Sequence, residues 1–168
     1  MIKNILLYFM GLTVLLVVAP FFVQAQAPEP VTFTMEKAPQ GLKAGQKAKL
    51  KVRASLEGNW YLYSIANDPE AGPYPTKFSS ANPSMTIAGE VTESKPKIEM
   101  DPNFETELGR HSGRAVFTIP IVFSKQAQGS TMIDLEVLYQ ACNDRVCLPP
   151  RTESIMHPVT VNGEEGEM

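Results

Sequence analysis

Apolar and polar residues alternate along most of the chain with a period of two. Val31, Phe33 and Met35 alternate with Thr32 and Thr34. In KAKLKVRASL, Ala48, Leu50, Val52, Ala54 and Leu56 fall on one face, and Lys49, Lys51, Arg53 and Ser55 fall on the other. Such a pattern predicts a strand with one buried and one wet face. Glu57-Gly58-Asn59 supplies turn chemistry, and the aromatic segment from Trp60 to Ile65 reads as a following strand that would close a hairpin. Ala115, Phe117, Ile119, Ile121 and Phe123 alternate again, with Pro120 inside the run suggesting an edge strand or a bulge. Gln128-Gly129-Ser130 is a turn; Ile133, Leu135, Val137 and Tyr139 form another buried row, and Ile155 to Val161 closes the set.

Between these runs the pattern weakens. Pro69, Pro73, Pro75 and Pro83 make much of Ala66 to Lys97 loop, with short strands at Met85-Thr86-Ile87 and near Val91. Residues 98–112 read as a polar loop holding one large apolar residue, Phe104. Seven or eight short strands, with no sustained helical period after the first segment, predict an all-β fold: an antiparallel sandwich of immunoglobulin-like type.

Residues 1–25 read differently. Lys3 precedes an apolar run from Ile5 to Val23, and Val23-Gln24-Ala25 is a small-residue cleavage pattern. This is the layout of a secretory signal peptide, with an uncleaved anchor as the alternative because the run is long enough to span a bilayer. The expected organisation is therefore a signal peptide over 1–25, one domain over 26–162 and an acidic tail over 163–168. Secretion implies an oxidising compartment and no membrane insertion after cleavage.

Composition narrows the function. The net charge of −3 over 168 residues, with removal of the signal segment taking away only Lys3, leaves no general basic surface for nucleic acid. Two cysteines are too few to build a disulfide-dependent fold, and a chain of this size does not need one. They lie in Tyr139-Gln140-Ala141-Cys142-Asn143-Asp144-Arg145-Val146-Cys147-Leu148-Pro149-Pro150. A hairpin with its tip at Asn143-Asp144 would bring them to disulfide distance. As a staple, a bridge closing about six residues contributes only roughly 2 kcal/mol. As an exchange site, a short bridge at a sheet margin is accessible and reducible, and Pro149-Pro150 ends regular pairing just beyond Cys147. A third reading joins both cysteines to His111 and His157 as metal ligands, at the edge of usual zinc spacing. Two scattered histidines without a nucleophile elbow give no hydrolytic signal. The residues alone leave open a redox pair or a non-catalytic secreted binding or assembly module with a structural hairpin disulfide.

The run YQACNDRVCLPP resembles the active-site segment of the N-terminal periplasmic domain of thiol:disulfide interchange proteins of the DsbD type, a disulfide bond corrector family. Gly58-Asn59-Trp60-Tyr61-Leu62-Tyr63 is similar to that family's Gly-x-x-Tyr-Leu-Tyr strand, and Asp101-Pro102-Asn103-Phe104 to its cap loop. The resemblance spans roughly Val31 to Val161. It implies an immunoglobulin-like sandwich, without a thioredoxin fold, that passes reducing equivalents to or from thioredoxin-like periplasmic proteins. Cys142 and Cys147 would be the redox pair, with Cys147 the exchanging sulfur. Phe104 would cap the disulfide, Tyr61 and Tyr63 would wall its pocket, and Asp101 would be the acidic neighbour. No cofactor and no metal is implied. The chain departs from the best-known member in having four rather than five residues between the cysteines. In the full-length protein a membrane electron conductor and a thioredoxin-like domain follow; here a separate membrane electron donor is expected.

Overall fold

A computed structural model describes residues 28–37, 39–70 and 72–163; the signal segment and most of the acidic tail lie outside the described residues. Among the described residues there is no helix, and none is long and apolar enough to cross a membrane.

Among the described residues thirteen strands form three sheets. The first holds β1 (Val31–Met35), β3 (Lys47–Leu56), β10 (Arg114–Phe123) and β6 (Met85–Ile87) in that order, with β7 (Thr92–Glu93) also pairing with β10. The second runs β2 (Leu42–Lys43), β13 (Arg151–Asn162), β11 (Gly129–Tyr139) and β5 (Lys77–Ser80). The third, smaller sheet runs β12 (Ala141–Cys142), β4 (Tyr61–Tyr63), β9 (Thr106–Ser112) and β8 (Lys97–Asp101). Pairing is antiparallel except between β2 and β13, where Val161 lies beside Leu42 in parallel.

The period-two rows form the interface between the first two sheets. Leu50, Val52 and Ala54 of β3, Phe117, Ile119 and Ile121 of β10, and Ile133, Leu135 and Val137 of β11 are completely buried in one cluster. The lysines of β3 point outward because strand side chains alternate between faces. Phe78 of β5 packs on Phe117 with ring centroids 5.1 Å apart.

Three expectations fail, each for a physical reason. Pro120 is neither at an edge nor in a bulge. The β10–β3 register runs unbroken from Arg114↔Ser55 to Val122↔Lys47, and β10 is an interior strand. On its other side β10 meets β7 at Thr118 and β6 at Ile121, so Pro120 falls in the gap between them. Its carbonyl accepts from the Ala88 N–H at 2.8 Å. The polar side of this residue therefore faces the link between the two short strands, where no donor is required.

The Trp60–Ile65 segment does not close a hairpin with β3. Tyr61, Leu62 and Tyr63 are all buried, so this strand is covered on both faces. After the Gly58 turn it crosses to the third sheet, where it lies between β12 and β9.

Residues 98–112 are not a loop but most of the β8–β9 hairpin, with Asp101 opposite Thr106. The strands read as polar because their charges pair with each other: Arg110 and Lys97 both bind the Glu99 carboxylate.

Candidate functional site

The two longest strands, β11 and β13, pair along their whole length and end at Tyr139↔Arg151. The chain between them leaves the second sheet. Ala141 and Cys142 pair with Leu62 and Tyr61 of β4, and Cys142 forms an antiparallel bridge with Cys147. Backbone hydrogen bonds from Leu148 N–H to Ala141 O (2.9 Å) and from Asn143 N–H to Val146 O (2.9 Å) flank the cysteines. The Asn143 side chain accepts from the N–H groups of Arg145 and Val146, at 2.9 and 3.0 Å, which fixes the turn. The result is a tight hairpin closed by a Cys142–Cys147 disulfide, with Cα atoms 4.1 Å apart.

The sulfurs are not equivalent. Cys142 is 0% exposed, whereas Cys147 is half-buried and is followed by the exposed Pro149 and Pro150. Around them lies a second buried cluster, separate from the sandwich core: Tyr61, Tyr63, Leu108 and Cys142, with Phe104 and Cys147 packed against it. Leu62 turns the other way into the main core, with Trp60 packed against the same core. Alternation along β4 thus sends the two tyrosines to the disulfide face. Their rings meet edge to face at 5.6 Å, and the Tyr63 ring meets Phe104 edge to face at 6.1 Å.

Phe104 sits in the turn between β8 and β9. Asp101, completely buried, organises that turn: its Oδ1 accepts from the Asn103 N–H at 2.8 Å, and its carbonyl accepts from the Glu105 N–H at 2.8 Å. Glu105 adopts φ 55°, an uncommon left-handed conformation for a residue with a Cβ. Asp101 Oδ2 accepts from the Tyr63 hydroxyl at 2.9 Å, and Arg110 Nη1 approaches it at 3.6 Å. Gly72 seats the ring, since a Cβ there would lie 3.1 Å from Phe104 Cδ1.

Residues to which the sequence assigns no individual role at the site complete it. The Asn103 amide donates to the Tyr61 hydroxyl and to Asn143 O, both at 3.0 Å, and so ties the Phe104 turn to the disulfide hairpin. The Arg110 guanidinium lies 4.3 Å over the Tyr61 ring. Burial, reinforced by the hydrogen bond to Asp101, pushes the Tyr63 phenol far above its ordinary value. Burial raises Tyr61 as well, with Arg110 opposing it. Both phenols therefore stay neutral hydrogen-bonding groups at neutral pH.

The histidines are not assembled with the sulfurs. Buried His111 binds the Glu93 carboxylate at 2.9 Å, and His157 lies on β13 opposite Ile133. Glu93 also accepts from the Ser64 hydroxyl and from the Ile65 N–H at 3.1 Å. Burial alone would raise this carboxyl, but the three donors outweigh it and hold it below its ordinary value. Among the described residues no group of three or more His, Cys, Asp or Glu could hold a metal ion.

An antiparallel immunoglobulin-like sandwich with a disulfide hairpin under aromatic cover defines a class of thiol–disulfide exchange domains without a thioredoxin fold. The family described as thiol:disulfide interchange protein DsbD, N-terminal, matches residues 22–158, and the chain belongs to that family. The crystal structure of the Neisseria meningitidis DsbD N-terminal domain in the reduced form is similar in fold, with a TM-score of 0.51 at 17% identity, over 80% of this chain and 87% of that one. Domains 4 and 5 of the S-layer protein SbsC align with a TM-score of 0.35 at 15% identity, over 79% of this chain and 51% of that one. A C-terminal fragment of the Streptococcus agalactiae major pilin GBS80 aligns with a TM-score of 0.34 at 10% identity, over 79% and 55%. No curated protein matches this sequence.

Proposed function

We propose that this chain is a periplasmic electron relay in which Cys142 and Cys147 pass reducing equivalents to or from thioredoxin-like proteins. The observation that carries the reading is the unequal burial of the two cysteines in the cluster that Phe104 packs against: Cys142 is fully buried and Cys147 only partly. A staple gains nothing from an accessible sulfur, and this bridge closes too short a loop to contribute much stability.

In the reducing direction, Cys147 thiolate attacks a sulfur of the partner disulfide and one partner thiolate leaves. Cys142 thiolate then attacks Cys147 in the mixed disulfide, re-forming the Cys142–Cys147 bond and releasing the second partner thiolate. Two electrons move to the partner, and protons lost from the two cysteines balance those taken up by the partner thiols. The reverse sequence recharges the pair. Phe104, wedged between Tyr63 and Gly72, acts as a lid that a partner must lift. Tyr61 and Tyr63 wall the pocket, and Asp101 holds the lid turn in shape.

Single-cysteine variants test this directly. Cys142→Ser, which keeps the half-buried Cys147, should trap a mixed disulfide with a thioredoxin-like protein, and Cys147→Ser should trap far less. If neither variant traps one and the wild-type disulfide resists reduced thioredoxin, the relay fails and the chain is an immunoglobulin-like module with an inert bridge.

A further inference from the structure

The face that carries the disulfide also carries a cationic hollow. Cross-strand partners share a face, so Ser112, Tyr61 and Cys142 form one row across β9, β4 and β12. Two strand spacings separate Ser112 from Cys142, about 10 Å. Beside this row a hollow of about 220 Å³ is lined by Lys95, Lys97, Glu99, Arg110, His111, Ser112 and Arg114.

Four cations meet one lining carboxylate there, in a chain whose net charge is −3, and a second carboxylate, the buried Asp101, approaches Arg110 Nη1 at 3.6 Å. Glu99 is shared between Lys97 and Arg110, and Glu93 is committed to His111 at the hollow's inner wall. Lys95 and Arg114 are exposed and make no ion pair among the described residues. The Arg110 side chain is only 11% exposed, and its Nε and Nη1 atoms are buried without a hydrogen-bond partner. The same guanidinium covers Tyr61, so the hollow and the disulfide pocket share a wall. A surplus of fixed positive charge around a concave site attracts anions and raises their encounter rate.

We infer that the hollow formed by Lys95, Lys97, Arg110 and Arg114 is a docking site for an acidic segment of the exchange partner, which presents carboxylates about 14 Å from its reacting cysteine, since Cys147 lies one step beyond Cys142. A protein occupant is favoured over a lipid surface because whatever settles there also faces the sulfurs. The inference rests on the relay reading and adds to it the charge of the partner's surface.

The test uses the oxidised protein and two dithiol peptides that share a Cys-Gly-Gly-Cys core, one flanked by glutamates and the other by glutamines. In low salt the glutamate peptide should reduce the disulfide about tenfold faster relative to its counterpart, and salt near 0.5 M should erase the advantage. The double variant K95E/R114E should lower the ratio of the two rates about tenfold. Comparing ratios between wild type and variant cancels the glutamates' own effect on the peptide thiols. A ratio unchanged by K95E/R114E overturns the docking site. A second measurement needs no exchange. A cysteine-free glutamate peptide titrated into the labelled protein should shift amide resonances at Lys95, Lys97, Ser112 and Arg114. Scattered or absent shifts overturn the site, as does binding to phosphatidylglycerol vesicles without any response to the peptide. Failure of dithiothreitol itself to reduce the disulfide strikes the relay reading instead, and the titration still decides the docking site.

Discussion

Replacing Phe104 with alanine should unmask the disulfide. The ring is half-buried and makes one edge-to-face contact with Tyr63 at 6.1 Å. Such a pair contributes roughly 0.5–1.5 kcal/mol beyond area burial. Covering about half of a phenylalanine side chain adds roughly 1 kcal/mol. The closed lid therefore loses about 2 kcal/mol, close to a thirtyfold shift toward the open state. The Asn103 bonds to Tyr61 and Asn143, and the Asp101 turn, remain in place, so the turn itself stays formed. If opening precedes attack, reduction by a small dithiol should accelerate about thirtyfold. Quenched alkylation of freed thiols, timed after mixing with dithiothreitol, measures this. Equal rates for wild type and F104A would refute the lid, because the ring would then not stand between reagent and sulfur.

Four further outcomes follow. Gly72→Ala places a Cβ 3.1 Å from Phe104 Cδ1 and should also speed dithiol reduction, by less than F104A, in the same alkylation assay. Tyr63→Phe removes the buried donor to Asp101 Oδ2 and should cost about 1–3 kcal/mol, read as a lower urea midpoint. Replacing both cysteines with alanine should cost only about 2 kcal/mol and leave the sheet circular dichroism intact, since the bridge spans five positions and the sandwich core excludes it. The Glu93 carboxyl is held below its ordinary value in the folded chain, so the unfolded chain binds the extra proton first as pH falls. The corresponding stability is present above the unfolded value of 4.5 and is lost as pH drops through the folded one, so Glu93→Gln should flatten the acid limb of a urea-midpoint profile.

The sandwich was legible wherever one strand face is buried and the other wet. β3, β10 and β11 carry unbroken apolar rows, and those rows are the core. β5 was missed because Phe78 is its only large apolar side chain, too little to show a period. The β8–β9 hairpin was missed because Arg110, Glu99 and Lys97 satisfy one another across the strands, a pairing that hydropathy does not register. The partner of β4 does not show in the sequence because strand neighbours 49 residues apart, as Leu62 and His111 are, leave no local trace.

At the site, the cysteine pair is readable from its spacing and flanks, and the common face of Tyr61 and Tyr63 from strand parity. The bonds that Asn103 makes and the place of Arg110 over Tyr61 are not. Asn103 bonds to a carbonyl 40 positions away, and only the folded turn brings them within reach. Gly72 reads as loop punctuation until Phe104 is seen against it.

Whether the bridge is an exchange couple is decided most directly by its reduction potential. Equilibration of the pair with glutathione or thioredoxin buffers, scored by alkylation, should give a value among exchange couples, between about −120 and −270 mV. A potential below about −300 mV, where structural disulfides lie, would contradict the relay.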